Sequence, residues 1–412
     1  MFNAGLSLDQ APPISVILRF FLTLPLFGIV TGLLMFSASG TAGSFYAPAF
    51  LALVHAVLFG TAAMAMTGAL FQMLPVLAGA VVKNPLQRAR TVHLLLLAGA
   101  AAVVYAFATE RYAWLGFGAL LGAGTLGGFA LMMLTKLRTV QNKTAAVKGM
   151  IFALVSLLAA SAAALAMGLE FGLNSVGTFH EALRQTHLHF MLFGWIFGLI
   201  VAVSLQVVEM FYVTPPYPGP LQRLLPVTLF TLLGIQAAAA FVLPEAAAGI
   251  DLPVGLLMTG YAGTTLLRLS QRKRPLADTT VQLWRTGMAM FLIAPPLYFA
   301  DAAYSAALAF GYGVLAVIYA MSYKIVPFLV WFHLNGKGVM ECPMMGDVIP
   351  AKNARYHLQL FWSAGIFLAF SLLYPDALAA AGALFVLMNL FFAVNLFKAA
   401  WVYYRLKDKG MF

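Results

Sequence analysis

The sequence predicts an all-α polytopic membrane protein with about twelve transmembrane helices, and three observations carry that prediction. Of 412 residues, 62% are hydrophobic and 9% are charged, where a soluble chain carries roughly 25% charged residues. The mean hydropathy of +0.92 excludes an ordinary cytosolic globule, a disordered chain and a secreted disulfide scaffold. Apolar runs of roughly 20 residues, the length of a membrane span, recur along the whole chain. No long polar linker separates them, so residues 1–412 read as one membrane domain. The single cysteine, Cys342, excludes an internal disulfide, a thiolate iron–sulfur cluster and a Cys-x-x-Cys-His haem attachment.

Taken in order, the expected spans lie at 14–36, 47–82, 91–109, 112–135, 149–169, 180–213, 221–243, 250–270, 279–299, 302–334, 354–374 and 377–404. The net charge of +11 would suit nucleic acid by count, but the placement of the charges argues against it. With the N-terminus cytoplasmic, all but three of the 24 lysines and arginines fall in inner loops or at inner span ends, from Arg19 to Lys409. The exceptions are Arg111 and Arg184 on the outer side and Lys324 within the tenth span. Such asymmetry is the positive-inside signal, so the excess charge sets topology, with both termini cytoplasmic. The expected partner is the lipid bilayer, with no nucleic acid. The opening MFNAGLSLDQAPP is not a basic n-region, so no cleavable signal peptide is expected. In a bacterium the location would be the inner (cytoplasmic) membrane.

Spans two, six and ten are the long ones. Each holds a Phe-Gly pair, at Phe59-Gly60, Phe193-Gly194 and Phe310-Gly311, followed twelve residues after the glycine by Gln72, Gln206 or Tyr323. A period of four helices predicts a pseudo-threefold arrangement of four-helix repeats, 1–145, 146–275 and 276–412. In this register His55 and His189 are equivalent, each five residues before the glycine, and the third copy has Ala306.

The seven histidines sort by depth. His55, His180, His187 and His189 lie in the outer half or at the outer rim; His93, His333 and His357 lie at inner span ends. Intramembrane ionisable groups are functional candidates by default, and imidazole is the commonest transition-metal ligand. His187 and His189 point about 200° apart on a helix, so they serve different groups on opposite sides of it. His55 and His189 are the expected axial pair of one haem, with Arg184 and Arg111 as outer-side cations for an anionic group such as a propionate. His180 shares a face with His187, which allows a second metal there. The simpler reading of any one isolated histidine is a hydrogen bond across helices. On the inner side, His333 and His357 bracket a loop containing Cys342, a donor set suited to copper, although water-facing helix ends are the reading preferred there. Lys324 and Glu209 read as snorkelling or mutually paired.

Twelve spans with histidines high on particular long helices resemble subunit I of the haem–copper oxidases. His187-Leu188-His189 followed by Phe193-Gly194-Trp195 resembles the His-x-His motif of cbb-type oxidases and nitric-oxide reductases, and His55 with Leu58-Phe59-Gly60 resembles the second-span histidine of that superfamily. The resemblance implies His55 and His189 as a low-spin haem pair and His187 as proximal ligand to a second, high-spin haem. It departs in placing His-x-His on the sixth span rather than the tenth. A consecutive histidine pair on the seventh span, a histidine triad for copper and a His–Tyr cross-link candidate are missing, so a complete oxygen-reducing centre is not expected. The NnrS-like twelve-span haem proteins linked to nitric-oxide stress are the nearer analogy.

The expected function is therefore that of a haem-binding integral membrane protein, with one or two haem b groups. It would transfer electrons, or bind or reduce a diatomic ligand such as nitric oxide or dioxygen, with His187 as the candidate catalytic ligand. Copper has weaker support, and a redox partner or additional subunit is expected. The alternative is a secondary transporter with internal repeats and histidine-based proton coupling.

Overall fold

The computed structural model describes residues 8–38, 44–141, 143–274, 276–340 and 342–408; Lys409 and the opening residues 1–7 lie outside them. Hydrocarbon offers no partner to a bare peptide group, so a spanning chain must satisfy its backbone within each segment. Accordingly the described residues contain helices and no strand. The long helices are α1 (Ile14–Ala38), α2 (Pro48–Ala78), α3 (Pro85–Ala108), α4 (Ala113–Arg138), α5 (Ala145–Gly172), α6 (His180–Tyr212), α7 (Gly219–Val242), α8 (Pro244–Ser270), α9 (Thr279–Phe299), α10 (Ala303–Asn335), α11 (Ala351–Phe370) and α12 (Ala377–Asp408). Among the described residues, ten of these are long and apolar enough to cross a membrane. The other two, α9 and α11, open on polar turns (Thr279-Thr280, and Ala351-Lys352-Asn353-Ala354-Arg355) that dilute their hydropathy.

The ends follow local chemistry. Helix α3 starts six residues before the expected span because Pro85, whose missing N–H costs nothing in a first turn, opens it. Helix α5 starts at a Thr144 cap whose hydroxyl accepts from the Val147 amide at 3.3 Å. Helix α1 is interrupted at Leu22–Thr23, just before Pro25, which cannot donate to the preceding turn.

The long second, sixth and tenth helices form the interior. In their most apolar stretches, 67%, 67% and 83% of residues of α2, α6 and α10 are buried, against 28–61% for the other seven apolar helices. They meet at the level of the Phe-Gly pairs. The Phe193 and Phe310 rings lie 5.9 Å apart, and a Cβ added to Gly311 would stand 3.9 Å from Val57. The remaining helices run round this centre, and α12 returns to pack along α1. A Cβ on Gly32 would sit 2.7 Å from the Gly382 carbonyl, so only glycine admits this approach.

Candidate functional site

Two of the three interior helices change winding at the same point. In α2 the α-helix ends at His55 and residues Ala56–Ala62 form a π-helical segment. In α6 it ends at His189 and Phe190–Phe197 are π-helical. Each segment contains the Phe-Gly pair; α10, which has Ala306 in place of the histidine, is α-helical throughout. Single-turn π segments inside α-helices concentrate at functional sites.

The two histidines are also anchored alike. His55 Nδ1 lies 2.7 Å from the Leu51 carbonyl and His189 Nδ1 lies 2.8 Å from the Gln185 carbonyl, each four residues back. A ring that donates Nδ1–H to the backbone presents Nε2 as a base, as metal-ligating histidines usually do. His189 Nε2 lies 2.8 Å from Asp251 Oδ1 on α8, and Tyr298 at the end of α9 donates its hydroxyl to Asp251 Oδ2 at 2.6 Å. His189 and Asp251 keep only 7% and 11% of their side-chain exposure, so the pair is held largely out of water.

His187 faces the other side of α6, its Nδ1 3.1 Å from the Ala160 carbonyl of α5. His55 and His187 stand at the same position along their helices, each seven residues after the first. Phe107 of α3 stacks against His55 with ring centroids 5.0 Å apart. His189 is thus held in a hydrogen-bonded triad with Asp251 and Tyr298, whereas His55 and His187 are each held through Nδ1 alone. The donors that would hold a haem or another imidazole-seeking metal group are the Nε2 atoms of His55 and His187. Both rings have Nδ1 on a backbone carbonyl, leaving Nε2 for a ligand.

His180 shares the α5-facing side of α6 with His187, as expected, but its Nδ1 is 2.5 Å from Glu170 Oε2. Arg184 is bidentate on Glu181 at 2.8 and 2.5 Å and lies 5.3 Å from the Tyr46 ring centroid. It is therefore largely neutralised before any outside anion arrives. Arg111 is exposed in the loop before α4.

The residues considered for copper have separate partners or none. His333 Nε2 lies 3.1 Å from the Pro12 carbonyl, and Cys342 Sγ donates to the Trp331 carbonyl at 3.7 Å, with burial pushing its thiol pKa up, away from the thiolate a metal needs. His357 is fully buried instead of facing water as the sequence suggested. Its ring packs against Tyr319, Tyr323 and Phe392, with centroids at 4.7, 5.3 and 5.2 Å, and among the described residues neither ring nitrogen has a hydrogen-bond partner. Among the described residues, no group of three or more His, Cys, Asp or Glu side chains is arranged to hold a metal ion. Lys324 does not pair with Glu209. It bonds Asp278 Oδ2 at 2.7 Å, while Glu209 accepts from the Tyr217 amide at 3.2 Å.

Sequence reasoning found the outer histidines but missed their partners. Glu170, Asp251 and Tyr298 sit ten, 62 and 109 positions from the histidines they serve, directly or through Asp251. The one available signal was the rarity of acids in so apolar a chain: each of the 13 Asp and Glu residues is a candidate partner.

Compared with known proteins, the chain matches no family model and no curated protein.

Proposed function

We propose that this is a twelve-span haem-binding membrane protein, similar to the haem–copper oxidase superfamily and nearest its NnrS-like members. In this reading three related four-helix units surround α2, α6 and α10, and both termini face the cytoplasm. The observation that carries it is the matched pair of π-helical segments, each beginning directly after a histidine whose Nδ1 is fixed to the carbonyl four residues back. Winding tighter or looser than α costs hydrogen-bond geometry, and its recurrence at two histidines favours a site over chance packing.

His55 and His187 would hold the haem, because their Nε2 atoms are the ones the hydrogen bonds leave available. When bound, haem b supplies a one-electron iron centre that can pass an electron or take a diatomic ligand. The chain's own residues do the rest. The Leu51 and Ala160 carbonyls fix the tautomer and orientation of the two rings, and Phe107 shields His55 from water. The Glu181–Arg184 pair sets a local charge near zero at the outer rim. His189, held by Asp251, is the alternative axial position expected from the His-x-His motif.

The test is a reduced-minus-oxidised visible spectrum of the detergent-purified protein and of three single variants. The expected result is a low-spin haem signal that His55→Ala and His187→Ala abolish and His189→Ala retains. Loss in His189→Ala with retention in His187→Ala would move the iron to the other pair. A colourless wild-type protein from haem-replete cells would overturn the reading.

A second reading, a secondary transporter with histidine-based proton coupling, is favoured by the largely buried His189–Asp251 pair, which Tyr298 joins from its exposed end. An intramembrane carboxylate beside an imidazole is the usual material of a proton relay. Proton-driven uptake into proteoliposomes that Asp251→Asn abolishes, in a colourless protein, would establish it.

A further inference from the structure

Between α3 and α4, on the strongly basic side of the molecule, runs a groove of about 590 Å³. One end is polar, with Asn84, Gln87 and Arg88; the walls farther along are apolar, with Leu95 and Phe129 among them. The floor is cut by Gly124 and Gly128, where an added Cβ would meet no atom within 4 Å. Both glycines therefore face open space. The groove is an amphipathic slot, open sideways, with its charge at the level where a span meets water.

The charge there is unopposed. Lys83, Arg88, Arg90, Lys136 and Arg138 lie at this end of the two helices, and the sequence has no Asp or Glu between Asp9 and Glu110 or between Glu110 and Glu170. Arg88 Nη1 rests 3.0 Å from Met132 Sδ, and among the described residues no carboxylate pairs with it. The N-terminus of α3 opens at the same place, with no acid in its first turn and no side-chain cap from Asn84, so the helix end adds a partial positive charge. Basic pockets between transmembrane helices on the inner side suit anionic lipid headgroups.

We infer that the α3–α4 groove is a binding site for an anionic phospholipid of the inner leaflet. Its phosphate sits between Arg88, Gln87 and the start of α3, and an acyl chain lies over Gly124 and Gly128. Arg88 supplies charge-assisted hydrogen bonds in a fork geometry matched to phosphate. The two glycines supply depth.

Native mass spectrometry of the full chain, titrated with phosphatidylglycerol or phosphatidylcholine, tests this. The expected result is one phosphatidylglycerol retained at least tenfold more strongly than phosphatidylcholine. Arg88→Gln should remove that preference, and Gly128→Leu, which fills open space and leaves the fold intact, should reduce retention of both lipids. Equal retention of the two lipids by the wild-type protein would overturn the inference, as would a preference unchanged in Arg88→Gln. Retention of a neutral quinone in place of phosphatidylglycerol, sensitive to Gly128→Leu but not to Arg88→Gln, would also overturn it.

Discussion

His189 Nε2 and Asp251 Oδ1 stand 2.8 Å apart and tie α6 to α8. Tyr298 holds the second carboxylate oxygen from the end of α9, so three helices meet on one acid. Removing the acid strands a buried imidazole nitrogen. Asp251→Ala is expected to cost about 1–3 kcal/mol, read as a lowered Tm in detergent. Tyr298→Phe removes one of the carboxylate's bonds and should cost less. A Tm unchanged in Asp251→Ala would mean that the pair contributes nothing to stability.

The second prediction concerns pH. Asp278 caps α9, accepting from the Thr280 amide at 2.9 Å, and pairs with Lys324 at 2.7 Å. Burial alone would raise its pKa; the Lys324 ammonium and the Thr280 bonds outweigh that and hold it below the ordinary carboxylate value. A depressed folded-state pKa gives stability that is present above the unfolded value and is lost as pH falls through the folded one. Thermal melts should therefore show an acid-side loss of stability that is smaller in Asp278→Asn, with the two proteins converging at the lowest pH. Parallel curves would exclude the linkage.

Packing at the π segments is a third target. A Cβ on Gly194 would stand 2.5 Å from Ser156 Cβ, whereas one on Gly124 meets nothing. Gly194→Ala is expected to destabilise by about 1–3 kcal/mol, and Gly124→Ala to leave the melting temperature unchanged or raise it, since alanine is the better helix former. Equal melting of the two variants would contradict the close α5–α6 approach.

His357 offers a contrast. Because its nitrogens satisfy no partner, an apolar replacement of similar size removes a desolvation cost and breaks no bond. His357→Leu should keep or raise the Tm. A marked drop would show that the ring nitrogens are engaged after all.

Much of this was legible in the sequence. Apolar run length located the helices, and the long runs at 47–82, 180–213 and 302–334 correspond to the three interior ones. The matched places of His55 and His189 pointed to the two helices that change winding, although nothing in Ala56–Ala62 or Phe190–Phe197 spells a π segment, because the same residues suit an α-helix. The environments of individual side chains were less legible. His357 follows a polar turn and reads as an interface residue, yet Tyr319, Tyr323 and Phe392 close over it from α10 and α12. Asp251 reads as an ordinary first-turn acid until α6 brings His189 against it. Local pattern reports which segments enter the membrane; which faces meet depends on contacts far apart in the chain.

The contact of Gly32 with Gly382 bears on how the protein is made. Helix α1 leaves the ribosome more than 300 residues before α12. Throughout that interval the glycine seam of α1 faces lipid or an insertion chaperone, without its permanent neighbour. Biogenesis therefore has a late, committing step, the docking of α12, before which the bundle stays open on one side. Mutations at that seam should be felt as slow maturation and early proteolysis sooner than as altered chemistry.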